Sequence, residues 1–393
     1  MNIIIFEDYN IKNLNPFSIN HSSFELKCGV YTNLERIINS FDNDTNYYLI
    51  VRDELKKIVQ ERFPRYTVNP KKIPKGIYLN GAALWNEGNI NKIKNGYAFS
   101  SSGNLISFVS DVSIAYDDIN DMIDKTSKVT SDIDIDYISY LWDCIDLFNK
   151  YLEFDKKDLS NSYIPNSTHI NINPDNYYFS KGYNIEPGCI LDASNGPIIL
   201  SKHVTLEAGS IIKGPIFIDE GSIISNGAKL KGNILIGPYC KVGGEVTDSI
   251  FYGYSNKQHD GFLGHSFIGE WVNLGANTNN SNLKNNYNKI KFNFSDTLII
   301  DTKRLFLGVM IGDFCRTGIS TMINTGSYFG LGSNIFGTGF QNKYIPSFNW
   351  GKNEIVDFNK FITTIKRMKA RRTKKLSDSE VLFLQNLYNL KPK

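Results

Sequence analysis

The chain has only five cysteines in 393 residues. Cys28, Cys144, Cys189, Cys240 and Cys315 lie far apart and never form a C-x-x-C pair. A disulfide framework or zinc site is therefore not expected, and a reducing, cytoplasmic setting is. Long apolar runs are missing too. The opening Met1-Asn-Ile-Ile-Ile-Phe6 is broken at once by Glu7 and Asp8, so it reads as a buried first strand rather than a signal peptide, and no membrane span is expected. Charge of one sign is not in excess: 43 Lys and Arg against 40 Asp and Glu leave a net charge of +3. No global field favours nucleic acid or a membrane surface. Glycine is absent from Glu7 to Ser23, so no Gly-rich backbone cradle for phosphate groups follows the first strand. No aspartate pair stands out as a metal site.

What is present is a repeat. Leu200, Leu206, Ile212, Ile218, Ile224, Leu230, Ile236 and Val242 recur every six residues. Four residues after each stands a second, compact row: Val204, Ser210, Ile216, Ser222, Ala228, Ile234, Cys240 and Val246. A period of six fits neither a helix nor a lone strand; it predicts a parallel β-helix of short strands and corners. The rhythm falters after Val242 and resumes at Ile311, Thr317, Ile323, Phe329 and Ile335. Between Asn279 and Thr302 lies an Asn- and Lys-rich insertion, of the kind that leaves a solenoid as a loop.

The rest divides around this solenoid. Residues 1–115 read as a small α/β domain, with parallel strands at Asn2–Phe6 and Tyr47–Val51, a helix within Tyr31–Phe41 and a further strand at Gly76–Gly81. Residues 116–165 form a connector whose Ile138, Leu141, Ile145, Phe148 and Leu152 predict one helix face. The β-helix occupies 166–350. A helical tail, 351–393, carries the stripe Phe358, Phe361, Ile365 and Met368, the basic run Lys366–Lys375 and a capping box at Ser377 and Glu380.

The hexapeptide repeat resembles that of acyltransferases with a left-handed parallel β-helix, which implies that handedness and a homotrimer. The N-terminal pieces Asn15-Pro-Phe-Ser18, Phe24–Gly29, Leu34-Glu-Arg36, Val51-Arg52 and Tyr78–Gly81 resemble a sugar nucleotidyltransferase domain, Rossmann-like in fold. Together the two halves resemble a short, two-domain branch of the bifunctional UDP-N-acetylglucosamine pyrophosphorylase / glucosamine-1-phosphate acetyltransferase family. His259-Asp-Gly-Phe-Leu-Gly264 with Ile268-Gly269 matches the acetyltransferase active-site coil of that family. The resemblance implies His259 as catalytic base, with Asn273 and Asn282 as substrate-binding residues. An imidazole titrating near 6.5 suits deprotonation of a sugar ammonium.

The chain also departs from the family. Phe262 stands where a tyrosine is usual, and the lysine that holds the sugar phosphate falls on Thr247 or Asp248. The family's Asn-Tyr pair falls on Asn282-Leu283, with Asn286-Tyr287 as a candidate substitute after a small register shift, and Lys284, Lys289 and Lys291 in the insertion are candidates to replace the missing cation. In the N-terminal domain Asn20-His21 and Ala82 stand where cations are usual, leaving Lys27 and Arg36 as candidates for a phosphate. That domain is accordingly expected to be degenerate, with Mg²⁺ required only if it still works. His265 is a second candidate base, His203 is expected to be solvated at a corner, and Lys366, Arg367 and Arg371 are candidates for coenzyme A phosphates.

Three readings stand. The first is an acetyl-CoA-dependent acyltransferase acting on an amino-sugar phosphate or nucleotide sugar. The second is a sugar-1-phosphate nucleotidyltransferase using UTP or dTTP, with the β-helix for assembly. The third is a non-catalytic trimeric scaffold or sugar-nucleotide sensor.

Overall fold

The computed structural model describes residues 1–91, 93, 97–99, 104–119, 130–132, 134–162, 168–352 and 354–390. Its first half is built on a seven-stranded sheet in the order Thr67–Val68, Asn46–Ile50, Asn2–Phe6, Gly76–Asn80, Leu105–Ser110, Tyr97–Phe99 and Thr130–Asp132. The first four strands are mutually parallel and Leu105–Ser110 runs against them. Alternate side chains of Asn2–Phe6 serve different cores. Ile3 and Ile5 pack with Leu49, Leu79 and the tail, whereas Ile4 and Phe6 pack with Ile50, Tyr78 and Phe108. Burial on both faces is why this strand reads as an unbroken apolar run. The helix expected within 31–41 spans Asn33–Asn39 and starts at a capping box of Thr32 and Glu35.

The sheet takes its last strand from Thr130–Asp132, beyond residue 115. The connector helix spans Asp143–Asp155, so it starts later than the apolar spacing predicts. Asp143 is the reason: its Oδ2 accepts the backbone N–H groups of Ser139 and Tyr140, both at 2.9 Å. That closes a turn before the helix, while Ile138 and Leu141 are still buried. The linker expected near 160–167 lies mostly outside the described residues.

From Ile170 onward the chain is a left-handed parallel β-helix. Leu206 pairs with Ile224, which pairs with Val242 one coil on. These partners stand eighteen residues apart, three hexapeptides to a coil. Every member of both six-residue rows is buried, as are Ile311, Thr317, Ile323, Phe329 and Ile335. Beyond Val242 the coils shorten: its partner in the next coil is Lys257, and the ladder between the strands of 229–236 and 245–253 shifts register after Lys231.

The insertion folds as a hairpin of Lys291–Asn293 and Ile299–Asp301. Its Ile290 and Phe292 pack on Trp142 beside the connector helix, and Arg304 pairs with Asp143 and Asp146. The tail forms helices Phe358–Ala370 and Asp378–Asn389, the second opened by the capping box expected at Ser377. The stripe residues Phe361 and Ile365 enter one core with Ile3, Ile5, Trp271, Phe314 and Phe348. The tail therefore packs the α/β domain against the solenoid. No helix among the described residues is long and apolar enough to cross a membrane.

Candidate functional site

One face of the solenoid changes character along its length. Paired positions on consecutive coils read Thr205, Ile223, Lys241, Asn256, Asn273, Arg316 and Asn334. The lower positions are ordinary strand residues; from Lys241 upward the column is polar or cationic throughout. Two residues earlier on these coils lie the corners Tyr239, Tyr254, Trp271 and Phe314, all with positive φ, from 54° to 63°. Bulky residues seldom adopt that conformation. Here the rings stack to hold it, Tyr239 on Tyr254 at 5.5 Å and Tyr254 on Trp271 at 4.3 Å.

This face and the tail helix Phe358–Ala370 enclose a groove of about 660 Å³. His259, Asn256 and Asn273 line it together with Arg316, Arg367, Arg371 and Arg372. Among the described residues no carboxylate does. His259 is exposed, and its ring makes no hydrogen bond or ion pair to the described residues, so a nitrogen lone pair is free for a ligand. Of the residues singled out from sequence, the fold thus gathers His259, Asn273, Arg367 and Arg371. Lys366 is exposed on the same helix but does not line the groove.

Asn282 lies elsewhere. Its Nδ2 donates to Nδ1 of His265 at 2.9 Å, while Nε2 of His265 faces Asp248 at 3.8 Å and the ring stacks on Phe306. With the lone pair at Nδ1 occupied, His265 has none to offer a substrate proton in this arrangement. Burial lowers its pKa, against the opposing pull of Asp248. Tyr287 is exposed, and Lys284 donates to the carbonyl of Lys289 at 2.9 Å. These residues belong to the insertion, which docks on the connector, and none of them lines the groove. His203 is exposed at a corner, as expected.

Lys27 and Arg36 are already committed. Lys27 Nζ meets Asp219 of the solenoid at 2.6 Å. Arg36 is buried, its two terminal nitrogens on Asp155 at 2.5 and 2.7 Å, with a further bond to the carbonyl of Cys28. Neither cation faces a ligand. The spacing that made them phosphate candidates cannot show that their counter-ions arrive from 119 and 192 positions away.

Two features escaped the sequence reading. Lys257 occupies the slot that Val242 fills one coil earlier, and it is 1% exposed. Its Nζ donates to the carbonyls of Gly243 and His259, both at 3.0 Å. A lysine inside an aliphatic core fastens the loop that carries His259. Burial lowers its pKa to about 8, although Asp260 opposes that. The signal available was the failed apolar position six before Leu263.

The second is His21. The motif segment 15–25 is pressed against the solenoid. His21 Nε2 lies 2.9 Å from Asp313, Asn20 Nδ2 donates to the same carboxylate at 2.8 Å, and the Tyr252 hydroxyl donates to the carbonyl of Glu25 at 2.5 Å. Burial opposes the charge on His21, but Asp313 and Glu25 outweigh it and raise the pKa to about 9. Burial likewise opposes ionisation of Glu25, yet Arg62 and His21 bring it down to about 2.

The sign of each shift fixes the expected pH profile. The stability supplied by His21 is complete below its ordinary value near 6.5 and is lost as pH rises through about 9. That supplied by Glu25 is complete above 4.5 and is lost as pH falls through about 2. Thermal midpoints of chelator-treated protein should therefore fall between about pH 6.5 and 9, and His21→Gln should flatten that limb. An unchanged limb in the variant would remove His21 from the account.

With the geometry in place, comparison with known proteins is informative for the N-terminal half. Residues 3–163 match the family model described as sugar nucleotidyl transferase. A 165-residue stretch is 30% identical to a bifunctional sugar-1-phosphate nucleotidylyltransferase/acetyltransferase of Sulfurisphaera tokodaii. That match covers 41% of this chain and 40% of the relative, so the chain matches well under half of that protein's length. A solved Bacillus cereus gene product described as an acetyltransferase overlaps 57% of this chain and 98% of its own, at 13% identity and a TM-score of 0.24. A likeness that weak supports neither fold nor function. The first two matches bear out the resemblance read from the sequence: residues 3–163, here joined to a parallel β-helix, are similar to the sugar nucleotidyl transferase family.

Proposed function

We propose that the chain is a transferase that moves the acetyl group of acetyl-CoA to the amine of a sugar phosphate or nucleotide sugar, in the groove beside His259. One observation carries this reading: among the described residues, an imidazole without a hydrogen-bond partner shares a groove with Asn256, Asn273 and four arginines, and no acid lines it. The guanidiniums suit phosphate groups, whether of coenzyme A or of a phosphorylated sugar, because they bind them bidentately. His259 accepts the proton of the sugar ammonium, and the freed amine attacks the thioester carbonyl. The new amide bond forms as the C–S bond breaks and the thiolate leaves. Asn256 and Asn273 orient the sugar and the carbonyl without adding charge. The expected assembly is a homotrimer.

On the same reading the N-terminal domain is degenerate as a nucleotidyltransferase. Four of its cations are spent internally: Lys27 on Asp219, Arg36 on Asp155, Arg52 on Glu7 and Arg62 on Glu25. Nucleotidyl transfer needs positive groups aimed at the triphosphate. The bifunctional name of the Sulfurisphaera relative favours the opposite, so both activities belong in one experiment. Thiol release from acetyl-CoA is measured with a panel of amino-sugar phosphates and nucleotide sugars, and pyrophosphate release from UTP or dTTP with sugar-1-phosphates. Acetyl transfer alone is expected, with Arg316→Ala and Arg371→Ala each raising the KM for a phosphorylated substrate about tenfold or more, the loss of one charge-assisted bond. Pyrophosphate release without thiol release would reject the proposal.

A further inference from the structure

Where the segment around His21 meets the solenoid, three carboxylates face two cations, and one of the carboxylates makes no hydrogen bond or ion pair among the described residues. Glu270 and Asp313 occupy the same corner on consecutive coils. Ile268 pairs with Ile311 just before them, and the N–H of Phe314 donates to the carbonyl of Glu270 at 2.9 Å. Asp313 is held on both oxygens, Oδ1 by the N–H of Glu270 and Oδ2 by Asn20 Nδ2, each at 2.8 Å. His21 turns Nε2 towards this pair, while its Nδ1 faces Glu25 at 3.3 Å. Glu25 is gripped in turn by Arg62 at 3.0 and 3.2 Å. The Glu270 side chain, by contrast, makes no hydrogen bond or ion pair to the described residues. Asn20 is 4% exposed, and its Oδ1 is sealed from solvent beside Asp313 with no donor to satisfy it.

We propose that this corner is a binding site for a divalent cation of the zinc or manganese class, held by His21 Nε2, Glu270 and Asp313, with Asn20 Oδ1 as a further oxygen. One donor atom from each of the first three lies within 4.8 Å of the others. One imidazole nitrogen with carboxylate oxygens is a donor set for zinc or manganese rather than for calcium or magnesium. The outer shell is already in place. A metal-bound imidazole ordinarily donates its other N–H to a carboxylate, and Glu25, fixed by Arg62, is where that acceptor belongs. Charge agrees as well: the ion and Arg62 together offset Glu25, Glu270 and Asp313 once His21 binds in its neutral form. A cavity of about 480 Å³, lined by His21, Glu25, Arg62, Tyr252 and Glu270 among others, gives access. Because His21 comes from the α/β domain and the two carboxylates from the solenoid, the ion ties the halves together. Its ligands lie so far apart in sequence that no spacing motif announces it.

The test uses full-length protein stripped with chelator and titrated with zinc or manganese chloride alone, followed by calorimetry and thermal unfolding. One equivalent per chain and a raised unfolding midpoint are expected, with no such response to magnesium or calcium. Glu270→Gln removes one ligand charge but no bond of the metal-free fold. Its midpoint in chelator should match the parent, while affinity falls at least tenfold and the metal-induced rise disappears. His21→Gln should bind no ion at this site. The proposal is overturned if the parent shows no saturable equivalent, if Glu270→Gln responds as the parent does, or if the bound equivalent is lost in His259→Ala instead.

Discussion

His259→Ala is expected to lower the rate of acetyl transfer by about 10²- to 10⁴-fold, the usual contribution of a positioned general base. The KM values should change far less, because on the proposed function the phosphates are held by the groove-lining Arg316, Arg367, Arg371 and Arg372 rather than by the imidazole. Folding should be unaffected. The ring makes no hydrogen bond or ion pair among the described residues; the contact that holds its loop is the backbone carbonyl bonded to Lys257, which alanine keeps. The residual rate should also lose the acid limb of its pH profile, since that limb reports titration of the base. The check is thiol release at saturating substrate across pH, beside a thermal midpoint for each protein. A variant that keeps full rate would sink the assignment of His259.

Arg36→Ala should be the most damaging single change to stability, at about 3–5 kcal/mol, the cost of breaking a buried ion pair from one side. The truncation strands Asp155, whose side chain is 1% exposed, along with the carbonyl of Cys28. Burial already raises the pKa of Asp155, and Arg36 is the principal group opposing it. Removing the guanidinium should therefore drive Asp155 to take up a proton on folding. The rings of Tyr151 and Tyr31 also lose the cation lying over them at 4.8 and 6.0 Å. The double variant Arg36→Met, Asp155→Leu removes both charges and should recover much of the loss. Chemical denaturation of the three proteins gives the answer. A loss below about 1 kcal/mol, the range of a surface pair, would mean that water reaches this site.

These two residues show why some of the molecule was legible in advance and some was not. Both lie in segments whose local structure follows from sequence. The capping box at Thr32 and Glu35 starts the helix that holds Arg36, and the motif around His259 lies on a coil stacked beside its neighbours where the six-residue rhythm falters. Yet the fold sets His259 in a groove beside Asn273 and closes Arg36 into an ion pair with Asp155. The difference lies in where their partners come from. His259 and Asn273 are fourteen residues apart on neighbouring coils, so the repeat itself brings them close. Arg36 meets Asp155, Lys27 meets Asp219 and His21 meets Asp313 only because the domains dock. Asn282 failed as a groove residue for a related reason. The insertion has no rhythm to follow, and its Phe292 is drawn to the connector by Trp142.

By itself the sequence determined the solenoid, the strands and helix of the first sheet, the two tail helices and the residue type at the centre of the groove. Each of these follows from short-range periodicity or capping, and an interaction within eighteen residues is written into the spacing of the chain. Tertiary structure alone decided which cations are free. A phosphate-binding arginine and a buried, carboxylate-bound arginine are the same letter. What separates them is whether a distant carboxylate arrives to neutralise the charge: Asp155 does at Arg36 and Asp219 at Lys27. Among the described residues no carboxylate lines the groove of Arg316, Arg367 and Arg371.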